Sequence, residues 1–320
     1  MSRVRDAATE TSHLALEPGA IEWTRRDRGE LPARVVAARV TVRKRLKEIW
    51  AARELLVFLV RKELKVRYKS SVLGFLWSFL NPALVLIIYY VVFKYFLHNT
   101  TPDFALFLFS GLLAWNLFNN SLLSASSVLV AHAGIVKKVA LPREVLALSQ
   151  VGVSICYFFF QTCILAVFLA GFQVVPVAQY VPLMVLALVA DVVLSAALAV
   201  FLSAVNVYLR DVQHFVEVLL IALFFSPPIV YPFASLHLHH LRLLYLANPL
   251  VWIVLTFQRC LYGHVVPPGQ SLGGVASPLA SWGQGVYLTG LGVILAGSLL
   301  LFLAAMLIFG RVEGNFAEEL

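Results

Sequence analysis

VPLMVLALVADVVLSAALAVFLSAV, residues 181–205, carries a single charge, Asp191, in 25 positions. Wound as a helix at 1.5 Å per residue, such a run is about 37 Å long, enough to cross the roughly 30 Å hydrocarbon core of a bilayer. Working outward, five further stretches of comparable length and apolarity stand at 73–97, 104–130, 145–170, 215–233 and 286–310, each bounded by charge, proline or glycine. The chain as a whole is 60% hydrophobic and 13% charged with a mean hydropathy of +0.85. Ordinary soluble domains are about 45–50% apolar and about 25% charged, so a water-soluble fold of this size could not hide the apolar surface. The net charge of +8 is also localised: residues 1–70 hold 17 of the 25 basic and 9 of the 17 acidic residues, and the rest of the chain is neutral. A basic N-terminal segment followed by a greasy body excludes a soluble enzyme and a nucleic-acid-binding domain. The fold class expected is an all-α integral membrane protein with six transmembrane helices.

Loop charges orient the spans. Residues 131–144 (Lys137, Lys138, Arg143), 206–214 (Arg210) and the tail from Arg311 carry cations, whereas 98–103 and 171–180 contain no Lys or Arg, and 234–285 only Arg242 and Arg259. Cations concentrate on the cytoplasmic side, so a multi-pass protein of the cytoplasmic membrane with both termini inside is expected. The N-terminus is polar for far longer than a signal peptide's n-region, and the first membrane segment is expected to stay attached. Four segments follow: a cytoplasmic extension (1–45), an interfacial amphipathic helix (46–72), a six-span membrane domain (73–310) and a cytoplasmic tail (311–320).

Within 46–72, Leu46, Ile49, Trp50, Val57, Val60 and Leu64 recur at helical spacing between Arg53, Glu54, Arg61, Lys62 and Lys65. Such a helix lies in the headgroup plane with its cations toward anionic lipid; a soluble surface helix has the same periodicity. Ser226-Pro227-Pro228-Ile229-Val230-Tyr231-Pro232 places three prolines where a helix in lipid cannot continue regularly. The apolar stretch from Asn248-Pro249 to Tyr262 is too short to span, so 234–285 is expected to form an outer region with re-entrant helices.

The chemistry missing from the sequence narrows the function. No phosphate-cradling G-x-x-x-x-G-K-[ST] loop occurs, nor a G-x-S-x-G elbow. Cys156 and Cys163, seven apart on one helix face, and Cys260 form no disulfide or zinc pattern. His237, His239 and His240 have no nearby Cys, Asp or Glu, so no metal site is assigned. Asp191, in the middle of a span, either lines a wet path or accepts hydrogen bonds from a neighbouring helix; Lys94 is expected to snorkel, and His214 and Glu217 begin the fifth span. The aromatic residues Trp77, Tyr89, Tyr90, Trp115 and Phe118 suit either a glycan path, by stacking on sugar C–H faces, or an ordinary membrane core with interfacial belts.

Arg61-Lys62-Glu63-Leu64-Lys65-Val66-Arg67-Tyr68-Lys69, continuing through Gly74 and Trp77 to Asn81-Pro82, resembles the entry to the first span of ABC-type polysaccharide exporter permeases, the subunits that export O-antigen, teichoic acid, capsule or actinobacterial galactan. Ser110–Phe118, Ile135–Glu144, Asn206–Val212, Ser226–Pro232 and Asn248-Pro249 agree in order, so the resemblance covers about 46–320. It implies a homodimer working with two copies of a separate ABC ATPase, which would bind the ATP and magnesium, and a polyprenyl-pyrophosphate-linked polysaccharide as cargo, with no cofactor, metal or catalytic residue in this chain. By the same resemblance Lys137, Lys138, Pro142, Arg143 and Glu144 would dock the ATPase, although these cations also suffice to set topology. Arg61, Lys62, Arg67 and Lys69 stand at headgroup depth for the lipid pyrophosphate. Arg210 and Asp211 serve either gating or a static cap. The rivals are a membrane-embedded glycosyl- or acyltransferase, and an ABC permease for drugs or small lipids.

Overall fold

In the computed structural model, the described residues are 42–69, 73–98, 100–138, 141–171, 173–233, 242–272 and 274–319. Five helices are long and apolar enough to cross a membrane: Trp77–Phe96, Phe104–Ala131, Glu144–Gly171, Ala178–Tyr208 and Gln284–Val312. In chain order the α-helices are α1 (Val42–Ala51), α2 (Arg53–Tyr68), α3 (Trp77–Val91, prolonged by a π-helical turn to Phe96), α4 (Phe104–Ala131), α5 (Ala133–Lys138), α6 (Glu144–Gly171), α7 (Val181–Tyr208), α8 (Val212–Phe224), α9 (Arg242–Ala247), α10 (Pro249–Leu261), α11 (Gln284–Val312) and α12 (Phe316–Glu319). A two-residue-per-strand hairpin, β1 (Ser271–Leu272) and β2 (Val275–Ala276), is the one sheet among the described residues. This is a multi-pass membrane protein.

Two of the sequence boundaries move. The stretch expected as one helix over 46–72 is two, α1 and α2, separated at Ala52. Helix begins by Val42, so the boundary drawn at 45 cuts α1: Arg45 is a buried residue of this helix. The fifth expected span, 215–233, is helical only through Phe224; α8 has 13 residues, about 20 Å of helix. Ser226 to Pro232 then runs irregularly, as its prolines require. The remainder of the 1–45 extension, apart from 42–45, and His237, His239 and His240 lie outside the described residues.

The bundle has two chemically distinct ends. At one stand the cations of α1 (Arg45), α5 (Lys137), the turn before α6 (Arg143), the α7–α8 turn (Arg210) and the last turn of α11 (Arg311). At the other, Val177 N–H donates to Cys260 O (2.7 Å), Tyr262 Oη to Pro102 O (2.5 Å), Phe233 N–H to Pro278 O (3.0 Å) and Gln284 Nε2 to Gln179 O (3.0 Å). Burial raises the Tyr262 phenol pKa, which keeps it a donor.

In lipid there is no hydrophobic drive between helices, so close packing of small residues does the holding. Helix α7 shows this, burying Ala187, Ala190, Ser195, Ala197, Ala199, Ser203 and Ala204. It lies beside α11 in parallel: Tyr180 meets Tyr287 (ring centroids 5.9 Å) at one end, and Tyr208 Oη donates to Val312 O (2.7 Å) at the other. Gly290 lets α11 approach Trp252, into whose ring a Cβ would run. Helix α4 is the central strut, with 78% of its spanning window buried, and α10 is buried on nearly every side (Val251, Ile253, Val254, Leu255 and Phe257 each 0% exposed). A short helix that is apolar all round must lie inside protein.

The proline-broken segment is repaired by side chains. Gln258 Nε2 donates to Pro228 O (2.8 Å), Tyr231 Oη to Phe225 O and Ser226 O (each 2.9 Å), and Asn248 Nδ2 to Ser226 Oγ (2.7 Å). Losing a partner from a buried carbonyl costs about 1–3 kcal/mol. Gln258→Leu is therefore expected to lower the thermal unfolding temperature of the detergent-solubilised protein by several degrees, whereas Gln270→Leu, exposed just before β1, is expected to leave it unchanged; a fluorescence-detected melt distinguishes them.

Candidate functional site: an aromatic cleft and a charged clamp

Tyr89 on α3, Trp115, Asn116 and Asn119 on α4, Glu217 and Phe224 on α8, and Phe225 just after it line a cleft of about 520 Å³. Its floor is built by sequence register: residues 112, 115, 116 and 119 recur at helical spacing on α4 and so face one way. Trp115 is fixed from two sides, stacked obliquely on Phe118 (6.1 Å) and edge-on to Phe224 (5.6 Å). The walls are held less firmly. Only 6% of the α3 window is buried, and α8 exposes Phe215, Val218, Ile221 and Phe225, each 60–68%.

Of the aromatic residues singled out in the sequence, Tyr89 and Trp115 line this cleft, while Phe118 is buried beneath Trp115. Tyr90 is half-buried and meets Tyr95 edge-on (6.3 Å). Trp77 lies in a second, smaller cavity of about 240 Å³ with Arg67, Ser78, Asn81, Asn120, Tyr157 and Gln161. The two cavities adjoin through a hydrogen bond, Asn116 Nδ2 to Gln161 Oε1 (3.1 Å), between one residue that lines each. The polar positions 116, 119, 120 and 161 carry the same weight as the aromatics. Their signal in the sequence was amides inside apolar helices, where each polar group needs a partner or a wet surface.

The expected lipid-phosphate cations do not act as one group. Helix α2 runs along the first half of α6, with Val60 over Gly152, where a Cβ would approach Val60 Cγ2 to 2.7 Å, and Arg67 over the Tyr157 ring (5.2 Å). Lys62 Nζ contacts His132 Nε2 (3.3 Å), whereas Arg61, Arg67 and Lys69 are exposed. Asp191 is fully buried beside the Ser195 hydroxyl, without a well-aligned hydrogen bond, and lines neither cavity. Arg210 and Asp211 stand exposed in the turn between α7 and α8, and neither is in an ion pair among the described residues.

The loop expected to dock an ATPase divides into two parts. Lys137 is exposed on α5, and Lys138 ends that helix. Arg143 and Glu144 turn inward. Arg45 forms ion pairs with both Glu144 and Glu313, and a second Nη1–Oε2 contact to Glu313 measures 3.1 Å. Arg143 donates to the Glu313 carbonyl and lies over the Phe316 ring (5.7 Å). Glu144 is 2% exposed and Arg45 6%. One guanidinium thus clamps three separate pieces of chain: α1, the start of α6 and the end of α11. A cavity of about 430 Å³ opens beside it, bounded by Glu48, Leu141 and Pro142 as well as the clamp. Sequence reasoning missed Arg45 because its partners lie 99 and 268 residues away.

An all-helical, multi-pass body with a cleft along its long helices and a charged clamp at one end defines a membrane transport permease. The chain belongs to the ABC-2 type transporter family, whose model matches residues 54–262. It is similar to the O-antigen export system permease protein RfbA of Myxococcus xanthus, 34% identical over 233 residues that cover 72% of this chain and 89% of that protein. Similarity extends to RfbA of Klebsiella pneumoniae (35% identical, 56% of this chain and 69% of that protein). The polysialic acid transport protein KpsM of Escherichia coli is 26% identical over 66% of this chain and 82% of its own length.

Removing one partner of a buried ion pair leaves an uncompensated charge, a loss of about 3–5 kcal/mol. Glu313 is 29% exposed, which puts Arg45→Ala toward the lower end. Arg45→Ala is expected to free the C-terminal tail to protease and lower the melting temperature, and Arg45→Lys to do so less. Tail cleavage at the wild-type rate in Arg45→Ala would contradict the clamp.

Proposed function

We propose that this chain is the transmembrane subunit of an exporter of a lipid-linked polysaccharide, energised by a separate ABC ATPase and working as two copies of itself. The observation that carries it is the cleft of Tyr89, Trp115, Phe224 and Phe225 edged with Asn116 and Asn119. Flat aromatic faces stack on the C–H surfaces of sugars, neutral amides bond hydroxyls, and the Glu217 carboxylate that also lines the cleft accepts from them. The O-antigen and polysialic acid names of the relatives agree with such a cargo. The cleft lies between the loosely packed α3 and α8, whose outward faces are apolar. A second copy placed against those faces would close two half-clefts into one passage.

The same reading sets the topology. The basic end is cytoplasmic, following the distribution of Lys and Arg, and both termini lie there. Helix α8 with the irregular 225–233 carries the chain across as a sixth crossing, because Gln213 N–H bonds Asn206 Oδ1 near one end and Phe233 N–H bonds Pro278 O at the other. Helices α9 and α10 form a re-entrant hairpin from the outer face. Lys137 on α5 meets the ATPase, and the inward-turned Arg143 and Glu144 mount that contact rigidly on α6 and the tail. The work of hydrolysis belongs to the partner, and this chain is a permease rather than an enzyme.

Depleting the protein is expected to cause lipid-linked polysaccharide to accumulate in the cytoplasmic leaflet, and an ATPase with a phosphate-binding loop is expected to copurify. Normal surface polysaccharide on depletion would overturn the reading. Alanine at Tyr89 or Trp115 removes stacking worth about 0.5–1.5 kcal/mol, a roughly 2- to 10-fold weakening of cargo contact. Each variant is expected to slow export while ATPase copurification persists; Lys137→Glu is expected to do the opposite and lose the ATPase.

A further inference from the structure

Among the described residues, Glu217 is the one charged side chain that lines the aromatic cleft. It shares a face of α8 with Leu220, Ile221 and Phe224, spaced as one helix face requires, and looks across to Asn116 and Asn119 on α4. From Glu217 to Phe224 is about 10 Å by helical rise. The carboxylate therefore stands at the basic end of the cleft, and the Trp115–Phe224 contact lies further along. Little balances its charge. His214 Nδ1 lies 3.7 Å from Glu217 Oε2, and both side chains are more than half exposed. The Gln213 amide nitrogen contacts His214 Nε2 at 3.3 Å. An amide nitrogen only donates, so this ring nitrogen accepts and the imidazole holds a single proton. No Lys or Arg lines the cleft: Arg67 lies over Tyr157 beside the adjoining cavity, and Arg210 stands in the turn before α8, next to Asp211.

Helix stabilisation does not account for this residue. Glu217 stands beyond the first turn of α8, where the dipole of the helix N-terminus has faded, and an exposed pair with His214 adds little. An acid on so apolar a helix is costly unless it faces water or a ligand, and the cleft is where it does so. A carboxylate offers acceptors only. Sugar hydroxyls donate to it in charge-assisted bonds, whereas a second carboxylate or a phosphate in the same space is repelled. The apolar lining from Val85, Leu112 and Phe224 screens that repulsion less than bulk water would.

We propose that Glu217 is a specificity-determining residue that makes the cleft selective for uncharged glycan. Hydroxyls bond its carboxylate, and chains that carry a carboxylate or phosphate on each repeat are turned away. The proposal rests on the export reading for the cargo being a glycan; the exclusion of anions stands on the lining of the cleft. Because Glu217 lies at the basic end, a repeat unit entering from there meets the carboxylate before it reaches the ring faces of Trp115 and Phe224. Two copies with their clefts joined would set two such carboxylates along one passage. The preference runs against the overall charge of the chain, since a net +8 attracts polyanions.

The test compares an oligogalacturonide with the oligogalactoside made by reducing its carboxyl groups, a pair equal in length and linkage that differs only in charge. Binding to the full-length protein in phosphatidylcholine nanodiscs is titrated by saturation-transfer NMR. The neutral oligomer is expected to bind roughly 10-fold tighter than the acidic one, a gap that narrows as salt is raised. Glu217→Gln is expected to move the two in opposite directions, weakening the galactoside a few-fold and strengthening the galacturonide until they lie within about 2-fold of each other. Glu54→Gln, an exposed acid on α2, is expected to leave the gap intact. Equal binding of the two oligomers to the wild type overturns the proposal. So does a gap that persists in Glu217→Gln, or one that closes equally in Glu54→Gln, which would mean diffuse surface charge. Binding of neither oligomer removes the glycan cleft and the selectivity with it. If depletion leaves surface polysaccharide unaffected while binding follows the expected pattern, the export reading falls and the charge selection stands; if depletion blocks export while both oligomers bind alike, the selection falls alone.

Discussion

Inside a bilayer, a backbone carbonyl or N–H without a partner has no water to turn to. The long helices satisfy this requirement within themselves, which is why they can be read from a run of apolar residues. The interruption after α8 cannot. Its carbonyls at Phe225, Ser226 and Pro228 are capped by Tyr231 and Gln258, while Asn248 bonds the Ser226 hydroxyl. Two of these donors belong to the segment around α10, so repairing the break also pins that buried short helix against the α8 terminus. Phe224 and Phe225, which wall the cleft, are thereby fixed at the end of a helix that is otherwise exposed.

Charge does the equivalent work at the basic end. Arg45, Glu144 and Glu313 are mutually dependent: each would be costly to bury alone, and together they tie α1 to the first residue of α6 and the end of α11. Gly310 leaves the space that the guanidinium occupies, since a Cβ there would come within 2.8 Å of it. The parallel pairing of α7 with α11 carries the tail's position from the Tyr208–Val312 bond through the membrane to the Tyr180–Tyr287 contact. This yields a stiff frame of α4, α6, α7, α10 and α11, on which α3 and α8 are mounted with little burial.

Much of this is legible in the amino-acid sequence. Runs such as 181–205 are helical and membrane-spanning by length and composition, and the prolines at 227, 228 and 232 mark where helix ends. Tyr89 and Trp115 were picked out as aromatics in the first spans, and both line the cleft. Phe118 and Tyr90 share the residue type but not the position: one is buried under Trp115, and the other turns toward Tyr95. Residue type gives a helix face its chemistry, but which face meets a cavity depends on how neighbouring helices are rotated.

The cations make the same distinction. The local sequence determined that 46–72 is a basic amphipathic segment and that 131–144 is a charged loop, because periodicity and charge are properties of consecutive residues. It could not determine that Arg45 pairs with Glu144 and Glu313, that Lys62 meets His132, or that Arg67 alone among its neighbours reaches a polar cavity. Those partners lie on helices distant in sequence. They are brought within reach only when α2 lies along α6 and α11 returns to the basic end. Sequence by itself settled that the chain crosses a membrane as helices, since hydration of the backbone decides that segment by segment. Only the tertiary structure decided which polar groups meet, since that depends on the packing of whole helices against one another.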